Sequence, residues 1–152
     1  MKKIFFACMF LWSLSAAMAQ NTNPAYDAAL AAKLGGDDYG LKMYVFVMLK
    51  TGSNTTMAKD AADSCFRGHF ENMTRMVADG KLYVAGPMGK NEKSYRGIFI
   101  LNVATFDEAK LLLQNDPSIS SNLLEAELYN WYGSAALHEY LGAADKIWKA
   151  KP

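Results

Sequence analysis

Cysteine is scarce in this chain of 152 residues, which carries only Cys8 and Cys65. Cys8 lies in the N-terminal apolar run that we expect to be removed as a signal peptide, so Cys65 is the only cysteine left and the mature monomer cannot form an internal disulfide. An excess of charge is also lacking, because the formal net charge is only +1. Binding to phosphate groups requires a basic face, and we therefore expect no nucleic acid partner.

Histidine is equally rare, and His69 and His138 lie far apart in the sequence. Together with the cysteines they give none of the closely spaced ligand pairs that are typical of zinc sites. The sequence also has no Gly-rich phosphate loop and no Ser-centred nucleophile elbow. We therefore expect neither a metal nor another cofactor. Cys65 could be a nucleophile, but a lone cysteine on a helical stripe is more often a small buried apolar residue.

The long apolar run of the chain spans residues 4–14, with a basic start before it and small residues after it. The flanking residues are Lys2, Lys3, Ala17, Met18 and Ala19. This pattern is typical of a secretory signal peptide, residues 1–19, with cleavage before Gln20. The run is too short for a membrane anchor, which needs about 20 apolar residues. We expect an exported protein, periplasmic or secreted, that has no contact with the membrane once the signal is cleaved.

The mature chain divides into a leader, one domain and a tail. Residues 20–40 form the leader, and residues 26–34 within it predict a short helix. Residues 41–133 form the domain, and residues 134–152 form a tail that is predicted to begin with a further short helix.

The hydrophobic pattern of the domain predicts four strands and two helices. The strands are short, largely apolar runs, and apolar residues recur at steps of three and four in the helices. The strands are predicted at residues 42–49, 81–85, 95–103 and 125–132, and the helices at residues 60–79 and 105–114. The order β-α-β-β-α-β is the ferredoxin-like arrangement of an α+β fold. The first and third strands are apolar on both faces, which suits the two central positions of that sheet.

Two helices cover only one side of a ferredoxin-like sheet. The two central strands would then expose large apolar side chains on the other side. A second copy of the sheet, packed face to face, is the simplest cover. We therefore expect a homodimer with the architecture of a dimeric α+β barrel.

Four stretches of the domain, taken in order, resemble the YCII-related family. They are Arg67-Gly68-His69-Phe70-Glu71-Asn72-Met73, Gly80-Lys81-Leu82-Tyr83-Val84-Ala85-Gly86-Pro87-Met88, Phe106-Asp107-Glu108-Ala109 and Asp116-Pro117. The resemblance covers residues 42–132, and the leader and tail are similar to those of a longer, exported branch of this family.

The resemblance implies that His69 and Asp116 form an active-site pair that acts on a small-molecule ligand. Imidazole exchanges protons near neutral pH, and a carboxylate on one ring nitrogen would orient the ring. The implied activity is acid–base catalysis of lyase, dehydrohalogenase or isomerase type. From the residues alone, His69 could instead be a structural histidine bonded to a backbone carbonyl, and Asp116 could be a helix N-cap before Pro117.

Three further residues are candidates for substrate binding. Gly86 and Pro87 are predicted to shape the mouth of the same pocket, because glycine lets the backbone approach a ligand closely; a plain turn is the alternative. Trp131 could line the pocket, although aromatic residues in strands more often belong to a core or an interface. The rival function is a non-catalytic module that binds a small ligand or a partner.

Overall fold

A computed structural model describes residues 23–147 and residue 149, so the predicted signal peptide lies outside the described residues. The elements in chain order are α1 (Ala28–Leu34), β1 (Leu41–Thr51), α2 (Lys59–Ala78), β2 (Leu82–Pro87), β3 (Tyr95–Leu101), α3 (Phe106–Leu113), α4 (Pro117–Ser120), β4 (Leu124–Ser134), a 3₁₀ helix (Ala135–Tyr140) and α5 (Leu141–Ile147). From β1 to β4 this is the predicted β-α-β-β-α-β order, with the short α4 added. Within the described residues, no helix is long and apolar enough to cross a membrane.

The four strands form one antiparallel sheet in the order β2-β3-β1-β4. Strand β1 pairs with β4 over its whole length, from Leu41 opposite Ser134 to Thr51 opposite Leu124. The prediction that the first and third strands are central is confirmed. Strands in these positions are covered on both sides, which is why they carry apolar residues on both faces.

The main hydrophobic core lies between the sheet and the helices α2 and α3. Alternate residues of the two central strands point into it and meet the apolar stripes of the helices. Its buried members include Val45, Val47 and Leu49 of β1, Phe99 and Leu101 of β3, Met76 of α2, and Ala109 and Leu113 of α3. Each large side chain that is fully buried in this way contributes about 1.5–3 kcal/mol.

The other face of the sheet, called the second face below, carries a cluster centred on Tyr44, Tyr83 and Ile100. The tail packs onto it through Leu137 of the 3₁₀ helix and Leu141 of α5. The expectation that the chain itself leaves this face without cover is therefore wrong for the part around Tyr44 and Tyr83. The reason is that β4 ends beside the start of β1, where the tail can turn back over the sheet.

The ends of several elements follow the predicted signals. Thr105 and Glu108 form the capping box expected at the start of α3. Helix α1 follows an N-cap at Asp27 and ends at Gly35, whose φ of +72° favours glycine. The tail differs from its prediction, because β4 runs on to Ser134 and a 3₁₀ helix precedes the α-helix.

Candidate active site

His69 lies on the buried stripe of α2, together with Asn72 and Met76. Its ring stacks on Phe99 of the central strand β3, with 5.8 Å between the ring centroids and 23° between the planes. Phe66 and Phe70 approach it edge-on, at 6.4 Å and 5.5 Å. Aromatic rings on several sides therefore hold the imidazole against the sheet.

Asp116 is the N-cap of the short helix α4 and is completely buried. Its Oδ2 atom lies 2.5 Å from Nδ1 of His69. Its Oδ1 atom accepts a hydrogen bond of 2.9 Å from the backbone N–H of Ser118. The predicted contact between the two side chains is present, and so is the capping role, because the two carboxylate oxygens divide these tasks.

The geometry determines which proton the ring carries. A carboxylate beside Nδ1 accepts the Nδ1–H, so the Nε2 atom of a neutral His69 keeps its lone pair. Nε2 forms no hydrogen bond to any of the described residues. A ring held in this way can accept a proton at Nε2, and the Asp116 carboxylate stabilises the imidazolium that results.

Gly68 and Pro117 are the residues that allow the pair to form, and sequence reasoning missed this role. A Cβ atom on Gly68 would lie 2.6 Å from Cγ of Pro117, so α2 and α4 touch where the side chain is absent. His69 and Asp116 are their neighbours in sequence. A glycine inside a long helix lowers the stability of that helix. The unfavourable placement of Gly68 within α2 was therefore the sequence signal that could have indicated this role.

Gly86 and Pro87 lie at the end of β2, on the strand beside Phe99. Ala85 pairs with Phe99, and Pro87 pairs with Gly97. A Cβ atom on Gly86 would meet nothing within 4 Å, so this position opens onto free space. Gly86 itself pairs with Ile98 of the second face, so only Pro87 lies on the same face of the sheet as Phe99 and His69, and the predicted role of Gly86 beside the pair is not supported.

Ser118 contributes a feature that no sequence signal indicates. Its hydroxyl is buried without a hydrogen-bond partner among the described residues, while its backbone N–H binds Asp116. An unpaired buried hydroxyl is unfavourable and is rare in proteins.

Trp131 lies on the second face of the sheet and packs on Tyr44, with 5.6 Å between the ring centroids. His69 lies on the opposite face, so the structure does not bring Trp131 to the pair.

Cys65 is partly buried, and its sulfur lies 3.7 Å from the hydroxyl of Ser121. Among the described residues, no group of three or more histidine, cysteine or acidic side chains could hold a metal ion.

Fold and site together define a ferredoxin-like α+β protein with a buried His–Asp contact between α2 and α4. No protein-family model matches the chain, and no curated protein matches it in sequence. The chain is similar to a solved structure, that of 5-chloro-2-hydroxyhydroquinone dehydrochlorinase from Burkholderia phenoliruptrix in complex with 2,5-dihydroxybenzoquinone. The two sequences are 19% identical, and the match covers 57% of this chain and 92% of that one, with a TM-score of 0.41. The fold class follows from the chain's own strand order, and the resemblance to the YCII-related family stays a prediction.

Proposed function

We propose that the protein is an acid–base enzyme acting on a small organic molecule, of lyase, dehydrohalogenase or isomerase type. His69 is the base, and Asp116 orients it. The observation that carries the proposal is the 2.5 Å contact between a fully buried carboxylate and Nδ1 of the imidazole. That contact leaves Nε2 for the substrate, which is the arrangement a general base requires.

In this mechanism Nε2 of His69 takes a proton from the substrate. The electron pair of the broken bond then expels a leaving group in an elimination, or moves to a neighbouring carbonyl in an isomerisation. In an isomerisation the imidazolium returns the proton to another atom of the substrate, and in an elimination it passes the proton to the leaving group or to water. Such proton transfer contributes typically about 10²–10⁴-fold to the rate.

The surroundings of the pair favour a planar, mainly apolar substrate. Phe66 and Phe70 flank the imidazole, and aromatic rings pack well against flat molecules. Pro87, at the end of β2 on the same face of the sheet as Phe99, would then shape the entrance to the site.

The test is turnover of a panel of hydroxylated and halogenated aromatic compounds, followed by proton NMR. His69→Asn should keep the fold and reduce any turnover at least about 10²-fold, because the amide cannot act as a base at neutral pH. His138→Asn changes the other histidine, on the second face, and should leave turnover unchanged. Turnover that survives His69→Asn would contradict the proposal.

The second candidate function is a module that binds a small ligand without reacting with it. The burial of the pair favours this function, since His69 is only 7% exposed. Binding alone should depend on the aromatic walls more than on the base. Phe66→Ala should then weaken ligand binding more than His69→Asn does. Equilibrium titration of a ligand found in the same panel separates the two functions.

We also propose that the mature protein is an exported homodimer. Residues 1–19 support export through their basic start, apolar run and small residues. The part of the second face that the tail leaves uncovered supports the dimer: Phe46, Met48 and Ile98 are only half-buried there, and Tyr129 is exposed.

A further inference from the structure

A cleft of about 360 Å³ lies on the second face of the sheet, away from His69 and Asp116. Its walls come from the C-terminal end of α1, from β1 and β2, and from the 3₁₀ helix. The residues that matter here are Leu34, Lys42, Tyr83, Asn102 and His138. Helix α1 belongs to the leader and the 3₁₀ helix to the tail, so the cleft exists because both segments fold back on the domain.

Lys42 places an unpaired cation in this cleft. Its Nζ atom lies 5.3 Å from the ring centroid of Tyr44 and 5.9 Å from that of Tyr83. Within the described part of the chain, no carboxylate lies within 4 Å of it and no hydrogen bond satisfies it. Removal from water lowers the pKa of Lys42, as expected for a partly buried ammonium without an anion beside it.

The other walls of the cleft supply polar hydrogens and flat apolar surfaces, and no acidic side chain lines it among the described residues. The rings of Tyr83 and His138 lie 5.2 Å apart, and Leu34 adds an aliphatic wall. Burial raises the pKa of Tyr83, so its hydroxyl stays protonated and able to donate. Lys33 also lines the cleft, and it pairs with Glu139 at 3.8 Å, so the carboxylate of Glu139 is already engaged by another cation.

We propose that this cleft binds a small organic carboxylate, with its anionic group on Lys42 and its apolar body against Tyr83 and His138. The carboxylate would supply the counterion that Lys42 otherwise lacks, and charge-assisted hydrogen bonds of this kind are the strong ones. The volume suits a small molecule with a ring and exceeds what a simple inorganic anion fills. The site is independent of the pair, since the sheet separates them.

The experiment titrates benzoate into the mature protein at neutral pH and follows the amide resonances by NMR. Benzoate should bind saturably and shift the resonances of residues in the cleft. Lys42→Met should weaken binding at least about tenfold, because it removes a charge-assisted hydrogen bond. Lys42→Arg keeps the charge and should restore most of the affinity. Lys59→Met changes the net charge equally on the exposed surface of α2 and should bind like the wild type.

Two further measurements decide what the cleft recognises. Benzyl alcohol has the same ring without the charge and should bind at least about tenfold more weakly than benzoate. His69→Asn should leave benzoate binding intact, which separates this site from the pair. The proposal is overturned if benzoate does not bind, if Lys42→Met binds it like the wild type, or if inorganic phosphate binds as tightly as benzoate.

Discussion

Gly68 in α2 lies so close to the ring of Pro117 in α4 that a Cβ atom on it would be 2.6 Å from Pro117 Cγ. The next residue in one helix is His69, and the residue before the other helix is Asp116. The close packing of Gly68 on Pro117 therefore helps to set the distance between the imidazole and the carboxylate. Because Gly68 has no side chain, α2 and α4 can approach closely enough for His69 and Asp116 to meet, although Gly68 itself does not touch the pair.

Gly68→Ala tests this relationship. The added methyl group must push α2 and α4 apart, which lowers the free energy of unfolding by about 1–3 kcal/mol. The higher helix propensity of alanine raises it by about 1 kcal/mol. We expect the free energy of unfolding in urea to fall by about 1 kcal/mol. The NMR signal of the His69 Nδ1–H should weaken or disappear. Gly142→Ala in α5, where an added Cβ meets nothing, should not lower stability. A Gly68→Ala protein with unchanged stability and an unchanged Nδ1–H signal would contradict the prediction.

The two tasks of Asp116 can be separated by substitution. Asp116→Asn keeps an oxygen that can cap α4 through the Ser118 N–H, but it removes the charge beside His69. Asp116→Ala removes both. We expect the alanine variant to be less stable than the asparagine variant by about 1 kcal/mol, the usual effect of losing an N-cap. Urea unfolding measures the difference, and equal stabilities would show that the cap contributes nothing.

Tyr44 should give the protein a distinct response to alkali. Its hydroxyl donates to the Ser134 carbonyl at 2.9 Å, and burial, with a smaller effect of Tyr83, raises its pKa to about 12. An unfolded tyrosine ionises near pH 10. The contribution of Tyr44 to stability is therefore complete below about pH 10 and is lost as the pH rises toward 12.

Absorbance of tyrosinate during an alkaline titration checks this prediction. Tyr44→Phe should remove the latest-titrating tyrosine and lessen the fall in stability at high pH. Tyr39→Phe, at an exposed position, should leave that late step in place. Complete ionisation of all tyrosines near pH 10 in the folded protein would refute the assignment.

The second face should mediate a dimer where the tail does not cover it. Met48 is half-buried at the middle of the central strand β1. Met48→Lys places a charge on this apolar surface, and burial of an unpaired charge between two copies is strongly unfavourable. Sedimentation equilibrium at micromolar concentration should give a dimer for the mature wild type and a monomer for Met48→Lys. Thr56→Lys, in the exposed loop after β1, should stay dimeric; a monomeric wild type would rule out the dimer.

Export should leave a defined N-terminus. The mature protein from its native host is expected to begin at Gln20, because Ala17-Met18-Ala19 is a site of the kind that signal peptidase cleaves. Intact-mass spectrometry measures this directly. Ala19→Arg should block cleavage and leave the precursor mass. A wild-type mass that still includes residues 1–19 would exclude cleavage.

Much of the fold follows from local patterns in the sequence. The apolar runs of β1 and β3 and the helical stripe of α2 predict the order and type of the elements, because such patterns are a property of each segment alone. The central position of β1 and β3 follows from their two apolar faces. The N-cap at Asp116 and the capping box at Thr105 are equally local, since each involves residues within a few positions.

Other features depended on contacts between distant segments. The resemblance paired His69 with Asp116, but only the packing of Gly68 on Pro117 brings them to 2.5 Å. Alternation shows that Trp131 shares a face with other residues of β4, yet it does not show which face the helices cover.

The tail that packs on the second face, and the cleft that it forms beside Lys42, have no counterpart in any local pattern. Periodicity along a segment indicates which of its faces is apolar. Which residues cover that face depends on how distant segments of the chain pack against each other.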